Sequence, residues 1–179
     1  MYYFINKRMS DILKNNEINK YFGDATYRAV PPTMRRYRLY IISGFNLLEK
    51  HTRIGAFILI PNETESTYYN MFYFLKNNFG FNPKIFTLDF NKASTNVLKQ
   101  IYPNIYIIKC YYHYVNSIWK NLRKLRVYQK EKKEVLELAL NLKRLPFINP
   151  KNIPKLYKKI ETNYSSSLYN DFFIYFRRT

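Results

Sequence analysis

The stretches Lys20-Tyr21-Phe22-Gly23-Asp24-Ala25-Thr26-Tyr27 and Lys84-Ile85-Phe86-Thr87-Leu88-Asp89-Phe90 each carry an aspartate at the end of a strand-like apolar run. The chain has only four aspartates, so two in this position are informative. A third signal, Cys110-Tyr111-Tyr112-His113, closes the apolar run 105–108. Hard divalent cations take oxygen ligands on rigid elements, with room left for a phosphate. The pattern therefore predicts a magnesium-dependent phosphoryl-transfer site.

Length and composition predict one folded domain outside the membrane. The 179 residues suffice for a single core, and 47% hydrophobic with 19% aromatic residues is typical of a globular chain. No apolar run is long enough to span a bilayer, and the N-terminus lacks the small-residue cleavage site of a secretory signal. The single cysteine excludes an internal disulfide framework and a Cys-rich zinc finger. We expect a nuclear or nucleocytoplasmic location.

The formal net charge of +18 favours a polyanionic partner, because lysine and arginine that neutralise phosphates release condensed counterions. A/T-rich codons offer another explanation, since Asn, Lys, Ile, Tyr and Phe are abundant together. Basic residues with aromatic neighbours suit phosphate contacts and stacking, although a solvated charged face would have the same composition. The candidate DNA-binding residues are Arg35, Arg36, Arg38, Lys120, Arg123 and Lys124.

The order of the predicted elements indicates an α/β fold. Residues 1–19 form an arm or short helix, 20–128 a core, and 129–179 a helical extension. Within the core we predict strands at about 21–30, 39–47, 53–60, 84–89 and 105–109, with helices after the third, fourth and fifth. The order β-β-β-α-β-α-β-α is that of a ribonuclease H-like fold with a mixed five-stranded sheet. Its first and fourth strands are neighbours, so Asp24 and Asp89 would lie side by side at one edge.

Four ordered blocks give the chain a family resemblance. They are Gly23-Asp24-Ala25-Thr26-Tyr27-Arg28-Ala29-Val30-Pro31, Asn62-Glu63-Thr64-Glu65-Ser66-Thr67-Tyr68, Asp89-Phe90-Asn91-Lys92-Ala93, and Cys110-Tyr111-Tyr112-His113 with Trp119-Lys120 after it. Over roughly residues 20–125 the chain resembles the transposase domain of Mutator-like elements (MULE transposases), a DDE-type family. It departs from the family at Ala25, where glycine is usual, and at Asn91, where an acid is usual.

The resemblance implies a DNA transposase that uses Mg²⁺ or Mn²⁺. Asp24 and Asp89 would be the catalytic metal ligands of a two-metal site that cuts DNA at a transposon end and transfers the strand to target DNA. Cys110 and His113 supply only half of a zinc site, so a structural role or a place in the active-site wall is expected for them. DNA is the expected partner, and assembly into a homo-oligomer stays open.

The resemblance also places a third acid on a helix beyond a helical insertion, and the sequence ends at Thr179 before such a stretch. Glu131 lies about 27 Å of helix beyond His113, too far from metals about 4 Å apart. The third acid has no better candidate in Glu134, Glu137 or Glu161. We therefore expect a domain truncated before its third acid. The alternatives are a catalytically inactive DNA-binding remnant or domesticated transposase, and an RNA-binding basic protein.

Overall fold

The computed structural model describes residues 1–15, 17–18, 20–26, 29–124 and 132–178, and of Arg178 only the backbone. These residues form two compact units. Met1–Cys110 contains every strand and is called the sheet unit. Tyr111–Thr179 is built from helices and is called the helical unit.

The sheet unit combines six strands with three α-helices. The strands are β1 (Tyr2–Phe4), β2 (Lys20–Thr26), β3 (Arg38–Asn46), β4 (His51–Ile60), β5 (Ile85–Leu88) and β6 (Tyr106–Lys109). The helices are α1 (Lys7–Lys14), α2 (Glu65–Phe79) and α3 (Lys92–Ile101). The spatial order is β1-β4-β3-β2-β5-β6. The first four strands in this order pair antiparallel, whereas β2-β5 and β5-β6 pair in parallel.

Helices α2 and α3 provide the crossovers that parallel pairing requires. Thr64 begins α2 by accepting a hydrogen bond from the backbone N–H of Thr67, and Asn91 does the same for α3 through the N–H of Ser94. Gly80 ends α2 in the left-handed conformation at φ 61°, which a residue without a Cβ adopts at no steric cost. Local capping signals in the sequence therefore fix where both crossovers start.

The core of the sheet unit is rich in aromatic rings. Phe72 of α2 packs edge-on against Phe86 of β5 at 5.8 Å and against Tyr40 of β3 at 6.1 Å between ring centroids. Phe81 packs edge-on against Tyr21 of β2 at 4.9 Å. Edge-to-face rings add about 0.5–1.5 kcal/mol per pair beyond the area they bury. This packing holds β2 and β5, the strands that position the two aspartates, against α2 and the segment that follows it.

The helical unit has its own hydrophobic cluster. Its helices are α4 (Tyr111–Leu122), α5 (Lys132–Arg144), α6 (Ile153–Asn163) and α7 (Asn170–Arg178). Aliphatic side chains of α4 and α5 pack with aromatic side chains near and within α7. The buried members are Ile118, Leu122, Val135, Leu138, Ala139, Leu142, Leu145, Tyr164, Tyr169, Phe172 and Phe173.

The structure corrects the predicted number of strands. The sheet has six strands and not five, because residues 2–4 add a short strand beside β4. The N-terminal segment, expected to be an arm or short helix, contains α1 as well as this strand, and it places Leu13 and Ile18 in the core. The prediction failed because three residues are too few to show the alternation that marks a strand.

Other boundaries differ less. The predicted strand 21–30 ends at Thr26 in the structure. The predicted division between core and extension at 128/129 lies outside the described residues and stays a prediction. Within the described residues, no helix has the length and apolar character needed to cross a membrane.

Candidate active site

One edge of the sheet collects the ends of five strands. The parallel strands β2, β5 and β6 end there, and the antiparallel partners place the start of β3 and the end of β4 at the same level. Thr26 pairs with Leu39, Arg38 with Ile60, and Leu88 with Lys109. Side chains just before or after these positions therefore meet at this edge, where crevices beyond strand ends commonly bind ligands.

Asp24 and Asp89 lie at this edge on neighbouring strands. The parallel β2-β5 register pairs Phe22 with Thr87, and each aspartate follows its pair member by two residues. If the same register continues, Asp24 is level with Asp89. Both side chains then lie on the same face of the sheet as Phe22 and Thr87, because side chains alternate between faces with a period of two. Asp24 is exposed and Asp89 is half-buried. The predicted adjacency follows from the strand order and the register.

Asp89 is held by its own turn. Its carboxylate Oδ1 accepts a hydrogen bond from the backbone N–H of Asn91 at 3.0 Å. Asn91 in turn caps α3, so the carboxylate is fixed between the end of β5 and the start of that helix. An aspartate in such a turn is common without any ligand. At Asp89 the hydrogen bond of this turn is accepted by the carboxylate oxygen Oδ1.

Two buried tyrosine hydroxyls lie in the field of the carboxylates. Tyr40 of β3 is 2% exposed, and its Oη has no hydrogen-bond partner among the described residues. Burial, and then the charges of Tyr68, Asp89, Asp24 and Glu63, hold the pKa of Tyr40 well above its ordinary value. Burial chiefly raises the pKa of Tyr68, with Glu63 and Asp89 adding to it. Both phenols are therefore neutral at physiological pH.

Glu63 is a third carboxylate in the same electrostatic environment. It follows β4 and forms an ion pair with Arg38 at 2.5 Å between the guanidinium nitrogen Nη1 and the carboxylate Oε2. Burial raises the pKa of Glu63, Arg38 lowers it, and the charges of Asp89 and Asp24 raise it again. Arg38, a predicted DNA-binding residue, is thus engaged with an acid at this edge.

Lys109 ends β6 and brings a positive charge to Asp89. Its ammonium donates to the backbone carbonyl of Asp89 at 3.0 Å and to the hydroxyl of Thr95 at 2.6 Å. It also lies 5.8 Å from the centre of the Phe90 ring. Burial lowers the pKa of Lys109, and the charge of Asp89 opposes that shift.

The two aspartates fit part of a magnesium coordination shell. Within the described part of the chain, no group of three or more His, Cys, Asp or Glu side chains is arranged to hold a metal ion. Mg²⁺, however, commonly takes one or two carboxylates and completes its shell with waters and substrate phosphates. Asp24 and Asp89 on adjacent strand ends match that donor set.

The predicted DNA-binding residues fall into both units. Arg35 and Arg36 are exposed just before β3, and the Arg36 guanidinium lies 5.1 Å from the Tyr37 ring centre. Arg38 begins β3 and is half-buried. The remaining three belong to the helical unit, where all are exposed: Lys120, Arg123 and Lys124. Their contact with DNA stays a prediction.

Cys110 and His113 lie on either side of the boundary between the units. Cys110 follows β6, is half-buried, and donates its backbone N–H to the carbonyl of Leu88 at 2.8 Å. His113 lies in the first turn of α4, with its ring edge-on to Tyr112 at 5.8 Å. Their expected role in the wall of the site or in structure stays a prediction.

Sequence reasoning missed Glu63, Tyr40 and Lys109 as members of this region. Lys109 had a visible signal, since it ends the predicted strand before Cys110 and so falls level with Leu88, the residue before Asp89, in parallel pairing. Glu63 follows the third predicted strand, whose end lies at the same edge. Tyr40 gave no signal, because a tyrosine within a strand is ordinarily a core residue.

Comparison with known protein families gives a match over the region that carries this site. The family model of the MULE transposase domain matches residues 21–117, which begins in β2 and includes both aspartates, Glu63 and Lys109. No curated protein matches the chain. Since the match covers more than half of the 179 residues, the chain belongs to the MULE transposase domain family.

Proposed function

We propose that this chain is the catalytic domain of a DNA transposase, in which Asp24 and Asp89 hold Mg²⁺ or Mn²⁺ for DNA strand cleavage and strand transfer. The observation that carries the proposal is the parallel register of β2 and β5, which brings the two aspartates level at one sheet edge within the family match. Membership of the family implies a transposase-related function and interaction with DNA. A nuclear location suits that role.

A ribonuclease H-like fold is part of the proposal. Without β1, the remaining strands are ordered β4-β3-β2-β5-β6, with an antiparallel meander followed by two parallel crossovers. In such an arrangement the first strand of the meander is central and lies beside the first crossover strand. The short β1 is then an addition at the meander edge.

The side chains around the aspartates support metal-dependent chemistry on a phosphate. A divalent cation, when bound, would stabilise the negative charge that develops on phosphoryl oxygens. Asp24 is exposed and Asp89 half-buried, so both can reach a cation that also contacts substrate. Arg35 and Arg36 are exposed near this edge and would hold the DNA backbone, as guanidinium groups bind phosphates in bidentate geometry. The third metal-ligating acid is not assigned to any described residue.

The experiment is a strand-cleavage assay on a duplex that carries a transposon terminal repeat, with and without Mg²⁺ or Mn²⁺. The chain has two further aspartates as matched controls, Asp11 on α1 and Asp171 on α7 of the helical unit, and both are exposed. We expect metal-dependent nicking that is lost in Asp24→Asn and Asp89→Asn and retained in Asp11→Asn and Asp171→Asn. Nicking that survives in Asp24→Asn would remove this residue from the site.

A DNA-binding protein without catalysis is the second candidate, favoured by the net charge of +18. It predicts duplex binding that weakens steeply with salt, needs no divalent cation, and is unchanged in both site variants. Isothermal titration of Mn²⁺ into the free protein separates the two candidates. A two-aspartate site gives a binding signal that Asp24→Asn and Asp89→Asn abolish.

A further inference from the structure

Lys109 is placed unusually for a lysine. Its half-buried ammonium lies beyond the end of β6, over the turn that follows Asp89, where it has two oxygen acceptors. Lysine side chains are mostly exposed unless a partner compensates for the lost hydration. One acceptor is the carbonyl of Asp89, at 3.0 Å, and the other is the hydroxyl of Thr95, at 2.6 Å.

These contacts close a ring of hydrogen bonds around the turn. Thr95 donates its hydroxyl to the carbonyl of Asn91 at 2.8 Å, so its oxygen is free to accept from Lys109. The N–H of Asn91 donates to the carboxylate Oδ1 of Asp89 at 3.0 Å. Lys109 therefore reaches the Asp89 carbonyl directly and the Asn91 carbonyl through Thr95. The segment that orients the Asp89 carboxylate is held at both ends.

We propose that Lys109 is a positioning residue for Asp89: its ammonium joins β6, the 89–91 turn and α3, and so fixes the direction in which the Asp89 carboxylate meets a divalent cation. This inference rests on the proposed metal-dependent function. It goes further in assigning the geometry of the site to a side chain that would not itself touch the cation. Lys109 acts on the site through the main chain of Asp89.

Three possible roles of Lys109 predict different effects of its removal on binding of the cation. If the ammonium positions Asp89, its removal weakens binding of the cation. If it acts only as a nearby positive charge, its removal strengthens binding, since like charges repel. If it only fastens β6 to α3, stability falls while the affinity of the folded protein for the cation stays the same. Outer-shell partners of metal ligands typically contribute about 10–100-fold in affinity, so the first effect is measurable.

The test is calorimetric titration of Mn²⁺ into the full chain without DNA, with thermal unfolding measured alongside. Lys109→Met removes the charge and both hydrogen bonds. Lys99→Met is the matched control, because Lys99 is exposed on α3 and its charge acts on Lys109. Thr95→Val keeps the size and the lysine but removes one link of the ring.

We expect Lys109→Met to weaken Mn²⁺ binding about 10–100-fold, as loss of an outer-shell partner does. Thr95→Val should weaken it by a smaller factor, and Lys99→Met should leave it unchanged or slightly tighter. Unchanged or tighter binding in Lys109→Met overturns the inference. If Lys109→Met does not fold, Thr95→Val decides alone, and wild-type affinity in that variant overturns the inference.

The same titrations test the proposed function separately from the positioning role of Lys109. If the wild type binds no Mn²⁺, or if Asp89→Asn binds as tightly as the wild type, the proposed function fails and the inference fails with it. If Asp89→Asn abolishes binding while Lys109→Met and Lys99→Met behave alike, the proposed function stands and only the positioning role is lost.

Discussion

The sheet unit and the helical unit differ in the polarity of their buried side chains. Aromatic rings pack with aliphatic side chains in the buried clusters of both units. Among the described residues, all four buried polar side chains belong to the sheet unit: Asn46, Thr67, Thr87 and Ser94. Burying polar groups costs stability unless they are hydrogen-bonded. The sheet unit carries buried polar side chains on both sides of Asp89 in the sequence, Thr87 and Ser94, whereas the described core of the helical unit carries none.

Phe72→Ala tests the sheet side of this comparison and has the largest expected effect. Phe72 is fully buried and touches the rings of Tyr40, Tyr68 and Phe86. We expect the free energy of unfolding of the sheet unit to fall by about 3–5 kcal/mol, as for other buried phenylalanines. Hydrogen exchange of β2 and β5 measures it. A loss below about 1 kcal/mol would contradict the aromatic network as the main support of the site.

Leu138→Ala is the counterpart in the helical unit. Leu138 is fully buried in α5, and its truncation should cost the helical unit about 2–5 kcal/mol. The only tryptophan, Trp119, packs against the same cluster, so its fluorescence reports unfolding of this unit. We expect the Trp119 transition to shift while hydrogen exchange in β2 and β5 keeps its protection. Equal loss of protection in both units would show that they unfold as one.

Gly23→Ala tests how closely the sheet is packed beside Asp24. A Cβ at Gly23 would overlap the Tyr40 hydroxyl and lie 2.7 Å from the Phe86 ring. We expect a loss of about 1–3 kcal/mol from overpacking, measured by chemical unfolding. Tyr40→Phe in the same background removes one of the overlapping atoms and should recover part of the loss. Full additivity of the two substitutions would contradict the steric explanation.

Glu63→Gln has the smallest expected effect, below about 1 kcal/mol, because solvent screens a partly exposed ion pair. The raised pKa of Glu63 means that the folded state favours its protonated form. Its contribution to stability is thus greatest at low pH and is lost as pH rises above the ordinary carboxyl value of about 4.3. Unfolding measured from pH 4 upward should show wild-type stability falling relative to Glu63→Gln.

The charges of both aspartates help to raise the pKa of Glu63. We therefore expect the loss of stability with rising pH, measured relative to Glu63→Gln, to be smaller when Asp24→Asn or Asp89→Asn is present. Asp11→Asn is the control and should leave it unchanged. A pH profile that neither site variant alters would mean that the three carboxylates do not share one electrostatic environment.

Much of the sheet could be predicted from sequence, because its signals are local. Alternating burial along β3, the cap at Thr64 and the stop at Gly80 all come from neighbouring residues. The adjacency of Asp24 and Asp89 followed from the order of elements. The contacts of Lys109 and the pairing of Glu63 with Arg38 could not be predicted, since they depend on side-chain directions at the ends of strands far apart in sequence.

The strand β1 has a consequence for self-association. The sheet ends in two short strands, of three residues in β1 and four in β6, although β4, next to β1, has ten. Unpaired strand edges template intermolecular pairing, and short edge strands limit the length over which another chain can add. Tyr2–Phe4 thus covers residues 57–59, near the end of the long β4 edge. Loss of these few residues would leave that part of the β4 edge open to pairing with another chain.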